Sequence, residues 1–560
     1  MLGSVSRRIL WLSIVFALAL HAPSLGVGFL ADDHAQRLAL AEPERNVGGL
    51  SFLDLYDFGS AASPGSFREL PWWTSGDWSV RFLRPLSSAV RSLELWLFGA
   101  SAWPQQLLSL LYLALLLALL ARLYARLGLT PRAQALALAL FAADESSVVP
   151  VAWLANRNSL LEAIFAAGAC LCASARPARP AWALLLALSA TLCKESGLVF
   201  LLAVPCLLPR AQRGRALFAG ALLAGAYLAL YLALGRGASS RFYPEPWSQP
   251  LATLARAPRL LLESAAALWT PYPPDLGFQR PELSAPLLLL ALALALAAGL
   301  FVWTRRAAMP RHAGLLSALA LATLAPQIAA PPSNRLLLLP AAALAPLLAA
   351  WLTGGPATVG TRLALFLALP LSAASTAAQG LLLANFARES RAFAERTAAL
   401  ARAAGADQVL LLGVPNPLAG LVPSAELALE RPAGPRANVL QLGARPLTLI
   451  GLEGGGLAIL SRGQPFGSSP MEQVFRSPGA RFAAGATIHR GDQRWTLSEL
   501  APGTGDPGVV RLELALDGPR PLLIAHGSAG AEPVPWPVPW PAPGQRLELP
   551  AGPVPWPFGP

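Results

Sequence analysis

The chain has 560 residues, 54% hydrophobic and only 13% charged, with a mean hydropathy of +0.50, which excludes an ordinary set of soluble domains and points to a polytopic membrane protein. Its formal net charge of +12 does not imply nucleic acid, because the arginines form no single basic face or tail. They cluster instead in short connections between apolar runs, as the positive-inside rule expects of cytoplasmic loops.

The N-terminal stretch MLGSVSRRILWLSIVFALALHAPSLG has the basic start and apolar core of a signal peptide. With many apolar runs behind it, it reads better as a retained first helix. A long polar and aromatic segment follows, forming a first outer loop at about 26–103. Further spans are expected near 104–126, 131–143, 157–174, 180–193, 196–209, 215–234, 284–303, 313–330, 335–353 and 362–384, about eleven in all. Several are too short to cross about 30 Å of hydrocarbon unaided, so the chain near 141–200 is expected to line a cavity rather than face lipid. A second outer loop, RGASSRFYPEPWSQP through WTPYPPDLGFQRPE, is rich in Pro and aromatics and suits the membrane surface.

After Asn385 the character changes. A linker helix is expected at 386–404, followed at 405–530 by strand-like runs (QVLLLGVPNP, ANVLQLGA, LTLIGLEGGGLAILS, ATIHRGDQRWTL, VVRLELALDG, PLLIAHG) separated by turn residues. The expected fold class is thus a mainly α polytopic membrane protein with a small C-terminal all-β extracytoplasmic domain, a sandwich or barrel. An odd number of spans places that domain outside. The tail at 531–560 repeats VPWP and is expected to be an extended, polyproline-like appendage, with Trp536, Trp540 and Trp556 available to a membrane interface or a partner.

The four cysteines (Cys170, Cys172, Cys193, Cys206) lie in or beside apolar runs, which argues against a disulfide framework. The five histidines are scattered without zinc-ligand spacing, so no cofactor is expected and a divalent metal is not indicated. GVGFLA matches a dinucleotide-binding glycine pattern but follows an apolar helix instead of a strand, HGSAG is not a nucleophile elbow, and LEGGGLA reads as a hairpin turn.

Ionisable groups at membrane depth are costly and mark function by default. Four places carry them: ADDH after the first span (Asp32, Asp33, His34), FAADESSVVPVAWLANRN (Asp144, Glu145, Arg157), TLCKESG (Lys194, Glu195) and PPSNRLLLLP (Arg335). Arg84, in RFLRPL, ends the first outer loop. Lys194 is the only lysine in an arginine-rich chain, which points to a need for a compact ammonium, although a snorkelling helix-end lysine accounts for it too. Adjacent carboxylates in a dehydrated site raise each other's pKa and suit general-base work on a hydroxyl, and they equally suit a solvated helix N-terminus.

The order of these motifs resembles the GT-C superfamily of membrane glycosyltransferases over residues 1–385: an acidic pair after the first helix, an outer loop closing in R-P-L, V-A-W-x-A-x-R, a K-E pair and a late R-x-L-x-L-P. The nearest likeness is to transmembrane O-mannosyltransferases that carry tetratricopeptide repeats, and to protein O-mannosyltransferases and lipid A aminoarabinose transferases. The resemblance implies inverting transfer of a sugar from a polyprenyl-phosphate donor to an extracytoplasmic protein or glycan acceptor. Asp32 or Asp33 would be the base, and Arg84, Arg157, Lys194 and Arg335 would bind the donor phosphate, supported by His34, Asp144, Glu145 and Glu195. This chain departs from the family where D-E-S-S-V-V-P-V-A-W replaces H-P-x-H-x-E-A-V-A-W, where Asn334 replaces an acidic residue, and in lacking tetratricopeptide repeats. The Ala/Leu/Arg bias fits a GC-rich genome and a bacterial inner membrane. A competing reading is a non-catalytic scaffold or envelope assembly factor acting through the C-terminal domain; a transporter is a third, with no repeated halves to support it.

Overall fold

The computed structural model describes residues 4–551 apart from 44–50, 63–69, 244–248, 269, 280, 305–312, 357, 417–418, 431–434, 444, 503–507 and 530–531. The basic cluster RRAAMPRH and Trp556 lie outside the described residues.

The N-terminal two-thirds is helical. Among the described residues, five helical stretches are long and apolar enough to cross a membrane: Arg7–Gly26, Ala102–Arg126, Arg210–Ala233, Ser284–Thr304 and Val359–Ala403. A bent pair, Pro131–Ala143 with Glu145–Ala152, makes six if counted as one span. The expected eleven spans are therefore not supported, nor is a side for the C-terminal domain that rests on an odd count. The reason is length: Pro180–Cys193, Glu195–Leu207, Ala313–Leu324 and Leu338–Thr353 are apolar but short, and at about 1.5 Å per residue a 14-residue helix such as Pro180–Cys193 covers only about 21 Å.

These short helices end at polar breaks. The Pro131–Ala143 helix stops at Asp144, whose carboxylate accepts from the Ser146 amide at 2.9 Å and turns the chain by 53°. The Pro180–Cys193 helix stops at Lys194, which is extended (φ −159°, ψ 144°). Small side chains let the helices approach: Ala166, Ala169 and Ala173 pack in one cluster with Ala183, Ala187 and Ala190. The largest helical core gathers Leu113, Leu116, Leu117, Ala137, Leu138 and Leu348.

The two long segments expected outside the membrane join in a small antiparallel sheet, β1 (Asp57–Ser60), β2 (Ser79–Arg81) and β3 (Gly237–Ser239), in the order β1-β2-β3. The helix expected at 386–404 is present but is not a separate linker, because the last span continues without a break as Ser372–Ala403, about 48 Å of helix running into the C-terminal domain. A π-helical turn at Leu367–Leu371, containing Pro370, precedes it.

The C-terminal domain has two sheets. One holds β4 (Gln408–Leu411), β5 (Arg436–Val439), β11 (Leu522–Ala529) and β12 (Glu532–Val538) in the order β12-β11-β4-β5. The other holds β6 (Leu447–Gly451), β7 (Leu457–Ser461), β8 (Thr487–Arg490), β9 (Gln493–Leu500), β10 (Val509–Leu516) and β13 (Arg546–Leu549) in the order β13-β6-β7-β10-β9-β8. Strands fall in each of the six expected runs, and β6 and β7 turn through Gly454 and Gly455, both at positive φ. The domain is not all-β: β4 and β5 are parallel and are joined through the Val422–Glu430 helix.

The tail is not an appendage over 532–549, since it supplies β12 and β13. Alternation explains how a proline repeat becomes a strand. Pro533, Pro535 and Pro537 sit at every second position, so their missing N–H groups all fall on one side, and β12 is an edge strand with a single neighbour, β11.

The first long loop and the C-terminal domain share one core. Trp72, Trp73 and Trp78 are buried in it, and their indole N–H groups donate to the carbonyls of Leu440 (2.9 Å), Glu472 (3.1 Å) and Val474 (2.8 Å). Trp72 also stacks on Trp495 with centroids 5.9 Å apart. Such a joint core makes the β12 and β13 strands part of the whole assembly of loop and domain. A chain ended at residue 531 is expected to expose the 405–530 region and the first loop to limited proteolysis together; a protease pattern identical to that of the full chain would contradict the shared core.

Candidate functional site

The four polar places found in the sequence are four interruptions of helix, and the structure assembles them. Asp33 is the keystone. It is wholly buried, its Oδ2 accepts from the Leu30 amide at 2.9 Å and its Oδ1 from the Ala155 amide at 2.6 Å, and the Arg91 guanidinium lies 3.8 Å away. It thereby ties the acidic helix, Asp32–Ala41, to the turn Leu154–Arg157. Burial raises its pKa, with Arg91 and the two amide bonds opposing.

Asp32 is used differently. It opens the acidic helix, is only partly buried, and has no hydrogen bond among the described residues. Burial pushes its pKa from 3.8 up to about 6, with Arg335 opposing, Asp33 adding and Arg84 opposing. The residue before it, Ala31, has φ +41° and ψ −107° and is the one non-glycine residue at positive φ among the described residues. Strain of about 1–3 kcal/mol of this kind persists where the surroundings over-determine it; here the bonds of Asp33 do so. Gly28, discounted above as part of a nucleotide motif, serves this turn: it is at φ +76°, and a Cβ there would collide with the Arg391 guanidinium.

Two cations, Arg335 and Arg84, act on this carboxylate electrostatically, and Lys194 lies within reach of both of them. Arg335, in the turn Asn334–Leu336, donates to the Tyr243 hydroxyl at 3.4 Å and lies 5.7 Å from the centre of the Trp153 ring. Arg84 caps the Pro85–Phe98 helix, forks onto Glu195 with contacts of 2.8–3.0 Å, and packs over the Phe82 and Tyr56 rings. Lys194 donates to the Ser159 hydroxyl at 2.8 Å and is within electrostatic reach of Glu162, Arg84, Arg335 and Glu195. Asp32, Arg84, Lys194 and Arg335 thus belong to one charged cluster.

The remaining expected residues have other employment. Arg157 is buried in an ion pair with Glu94, with further bonds to Ser109 and the Gln105 carbonyl, which removes it from the cations open to a phosphate. His34 does not face the cluster; its Nδ1 meets Glu426 of the Val422–Glu430 helix at 2.5 Å, and Arg37 joins the same carboxylate at 2.7 Å. Asp144 shapes the bend already described. Glu145 accepts from Asn334 at 2.7 Å and from Gln379 at 2.5 Å, so it braces the turn that carries Arg335.

Sequence reading missed Glu162, Asp275, Tyr243 and Glu426. Glu162 is buried beside Lys194 and accepts from Ser196; a lone carboxylate inside the run NSLLEAIFAAGACLCA was its available signal. Asp275 accepts from the Asn334 amide at 3.3 Å, and burial raises its pKa against the opposing bond from Ser333. Nothing local in YPPDLG marks it. Among the described residues no group of three or more His, Cys, Asp or Glu side chains is arranged to hold a metal ion.

No protein-family profile, curated protein or solved structure matches this chain.

The two aspartates should separate experimentally. Asp33→Asn sets an amide N–H against the Leu30 or Ala155 N–H and is expected to destabilise the protein by about 1–3 kcal/mol. Asp32→Asn should stabilise it at neutral pH. Because the Asp32 pKa is higher in the fold than in the unfolded chain, its ionisation disfavours the fold as pH rises from 3.8 through about 6. The gain from Asp32→Asn should therefore be largest above that window and shrink toward pH 4. Thermal unfolding of the detergent-solubilised variants across this range measures both effects; equal losses in the two variants would contradict the division of roles.

Proposed function

We propose that the protein is a membrane glycosyltransferase of GT-C type, moving a sugar from a polyprenyl-phosphate donor to an extracytoplasmic acceptor with inversion, in a bacterial inner membrane. The observation that carries this reading is the Asp32 carboxylate: unbonded among the described residues, raised in pKa, held at a strained helix start, and set near Arg335 and Arg84. A donor-phosphate site needs positive charge, and an acceptor hydroxyl needs a base with a pKa not far below the working pH.

In the proposed step Asp32 takes the acceptor proton as the acceptor oxygen bonds to the anomeric carbon. The bond from that carbon to the phosphate oxygen breaks, and the polyprenyl phosphate leaves with the electron pair. Arg335 is the principal phosphate ligand, since its guanidinium is held by a hydroxyl and a ring instead of by a direct carboxylate contact. Lys194 adds a point charge. Arg84 is neutralised by Glu195, so its part is to hold the Lys194–Glu195 turn in register. Charge-assisted bonds of this kind stabilise a leaving group in a low-dielectric site.

Membranes containing the full chain, supplied with a radiolabelled polyprenyl-phosphate sugar and envelope acceptors, test the reading. Asp32→Asn is expected to lower transfer by about 10²–10⁴-fold, and Arg335→Ala to lower it with the chain still folded. Wild-type transfer should fall on acidification below pH about 6, as Asp32 takes up its proton. Undiminished transfer by Asp32→Asn would overturn the assignment of the base.

A further inference from the structure

The Pro85–Phe98 helix is inverted relative to a helix on a water-facing surface. Its buried positions are Ser87, Ser88, Arg91 and Glu94, which follow one another at helical spacing along one face. The opposite face carries Leu93, Trp96 and Leu97, which are 54%, 79% and 56% exposed. Each side chain of the polar face has a partner. Ser87 donates to the Cys193 carbonyl at 3.0 Å, Ser88 accepts from the Leu55 amide at 3.1 Å, Arg91 donates to Gln36 at 3.1 Å, and Glu94 receives Arg157. A helix with its charges inside and its largest apolar side chains outside is at home in a medium less polar than water.

That medium is identified by what adjoins the helix. Three residues, Gly99 to Ser101, lead into the Ala102–Arg126 helix, which packs against it and is long and apolar enough to cross a membrane. Trp103, Leu107, Leu111 and Leu115 are exposed at every fourth position of that helix, the row a span turns to lipid. The bare face of the Pro85–Phe98 helix continues an apolar surface already committed to the bilayer. Upstream, β2 and the buried Trp78 fix the helix to the side that carries the C-terminal domain.

We propose that the Pro85–Phe98 helix lies in the bilayer leaflet on the side of the C-terminal domain, with Leu93 and Leu97 among the lipid chains and Trp96 and Trp103 at headgroup level. Tryptophan favours that level because its ring is apolar and its N–H is not. Arg84, which caps this helix, is then held where lipid phosphates lie. The placement rests on the exposed face alone and stands independently of the transfer reaction.

The test uses the full chain in liposomes of phosphatidylethanolamine and phosphatidylglycerol. In a background with Cys170, Cys172, Cys193 and Cys206 changed to Ala, a spin label is attached to Leu93→Cys, Trp96→Cys or Leu97→Cys, one at a time. Leu111→Cys is the lipid reference, and Thr487→Cys, exposed on β8, is the water reference. Collision with oxygen is expected to exceed collision with a water-soluble nickel chelate at positions 93 and 97, as at 111, and the preference to reverse at 487. Position 96 should fall between the two references. A nickel preference at 93 and 97 would place the helix in water and overturn the proposal. Protection from both reagents would overturn it as well, by showing that protein covers the face. Reference labels that still behave as lipid and water sites establish that the chain is folded.

Discussion

The site depends on one buried carboxylate that does not itself face the cluster. Asp33 accepts two backbone amides, one from its own turn and one from Ala155, more than a hundred residues away. Burying a charge costs several kcal/mol unless hydrogen bonds and an opposite charge offset it. Both offsets are present here, with Arg91 as the counter-charge. With Asp33 fixed inward, the helical step of about 100° forces its neighbour Asp32 to point elsewhere. The strained φ of Ala31 belongs to the same constraint: the chain must turn sharply between Leu30, which Asp33 grips, and the helix that Asp33 helps to start.

Helix interruption is the second organising feature. A continuous transmembrane helix satisfies its own backbone and offers only side chains; an interrupted one exposes amides and carbonyls that must find partners. The breaks at Asp144, Lys194 and Asn334 are tied to one another in part and to other elements for the rest. The Asn334 side chain bonds Glu145, the Asn334 amide bonds Asp275, and Lys194 bonds Ser159 on the preceding helix. The C-terminal domain is clamped over the same region. Glu426 holds His34 and Arg37 of the acidic helix, while the Ser372–Ala403 helix carries Gln379 to Glu145 and Phe393 into the domain core. Domain and membrane helices therefore brace the two turns that present Asp32 and Arg335.

Much of this was legible in the chain because charged residues in apolar runs are costly and so stand out. Asp32, Lys194 and Arg335 were found in that way, and the strands of 405–530 from alternation and turn residues. What stayed hidden follows from limits of local pattern. Short apolar helices carry the composition of spans without their length, so composition suggests about eleven where five or six among the described residues qualify. The regular prolines of VPWP suggest polyproline, and only the free edge of β11 makes a strand of them. Arg157 and Arg335 look alike in sequence; Glu94, reached across more than sixty residues, takes one out of play. His34 beside the aspartates was drawn to the site by adjacency, whereas one further helical step turns it to Glu426.

The solitary lysine can be understood in the same terms. Lys194 stands at a helix break, and its ammonium has three donors to place, against five on a guanidinium. Ser159 takes one of them, and the buried Glu162 is the opposite charge that acts on it most strongly. Arg84 already fills the adjoining space with a guanidinium forked onto Glu195, the residue that follows Lys194. A second guanidinium at position 194 would bring two planar cations side by side with more N–H groups than the neighbouring acceptors could satisfy. A compact cation avoids that crowding, and the arginine bias of the rest of the chain does not extend to this position because geometry, not charge alone, sets the choice.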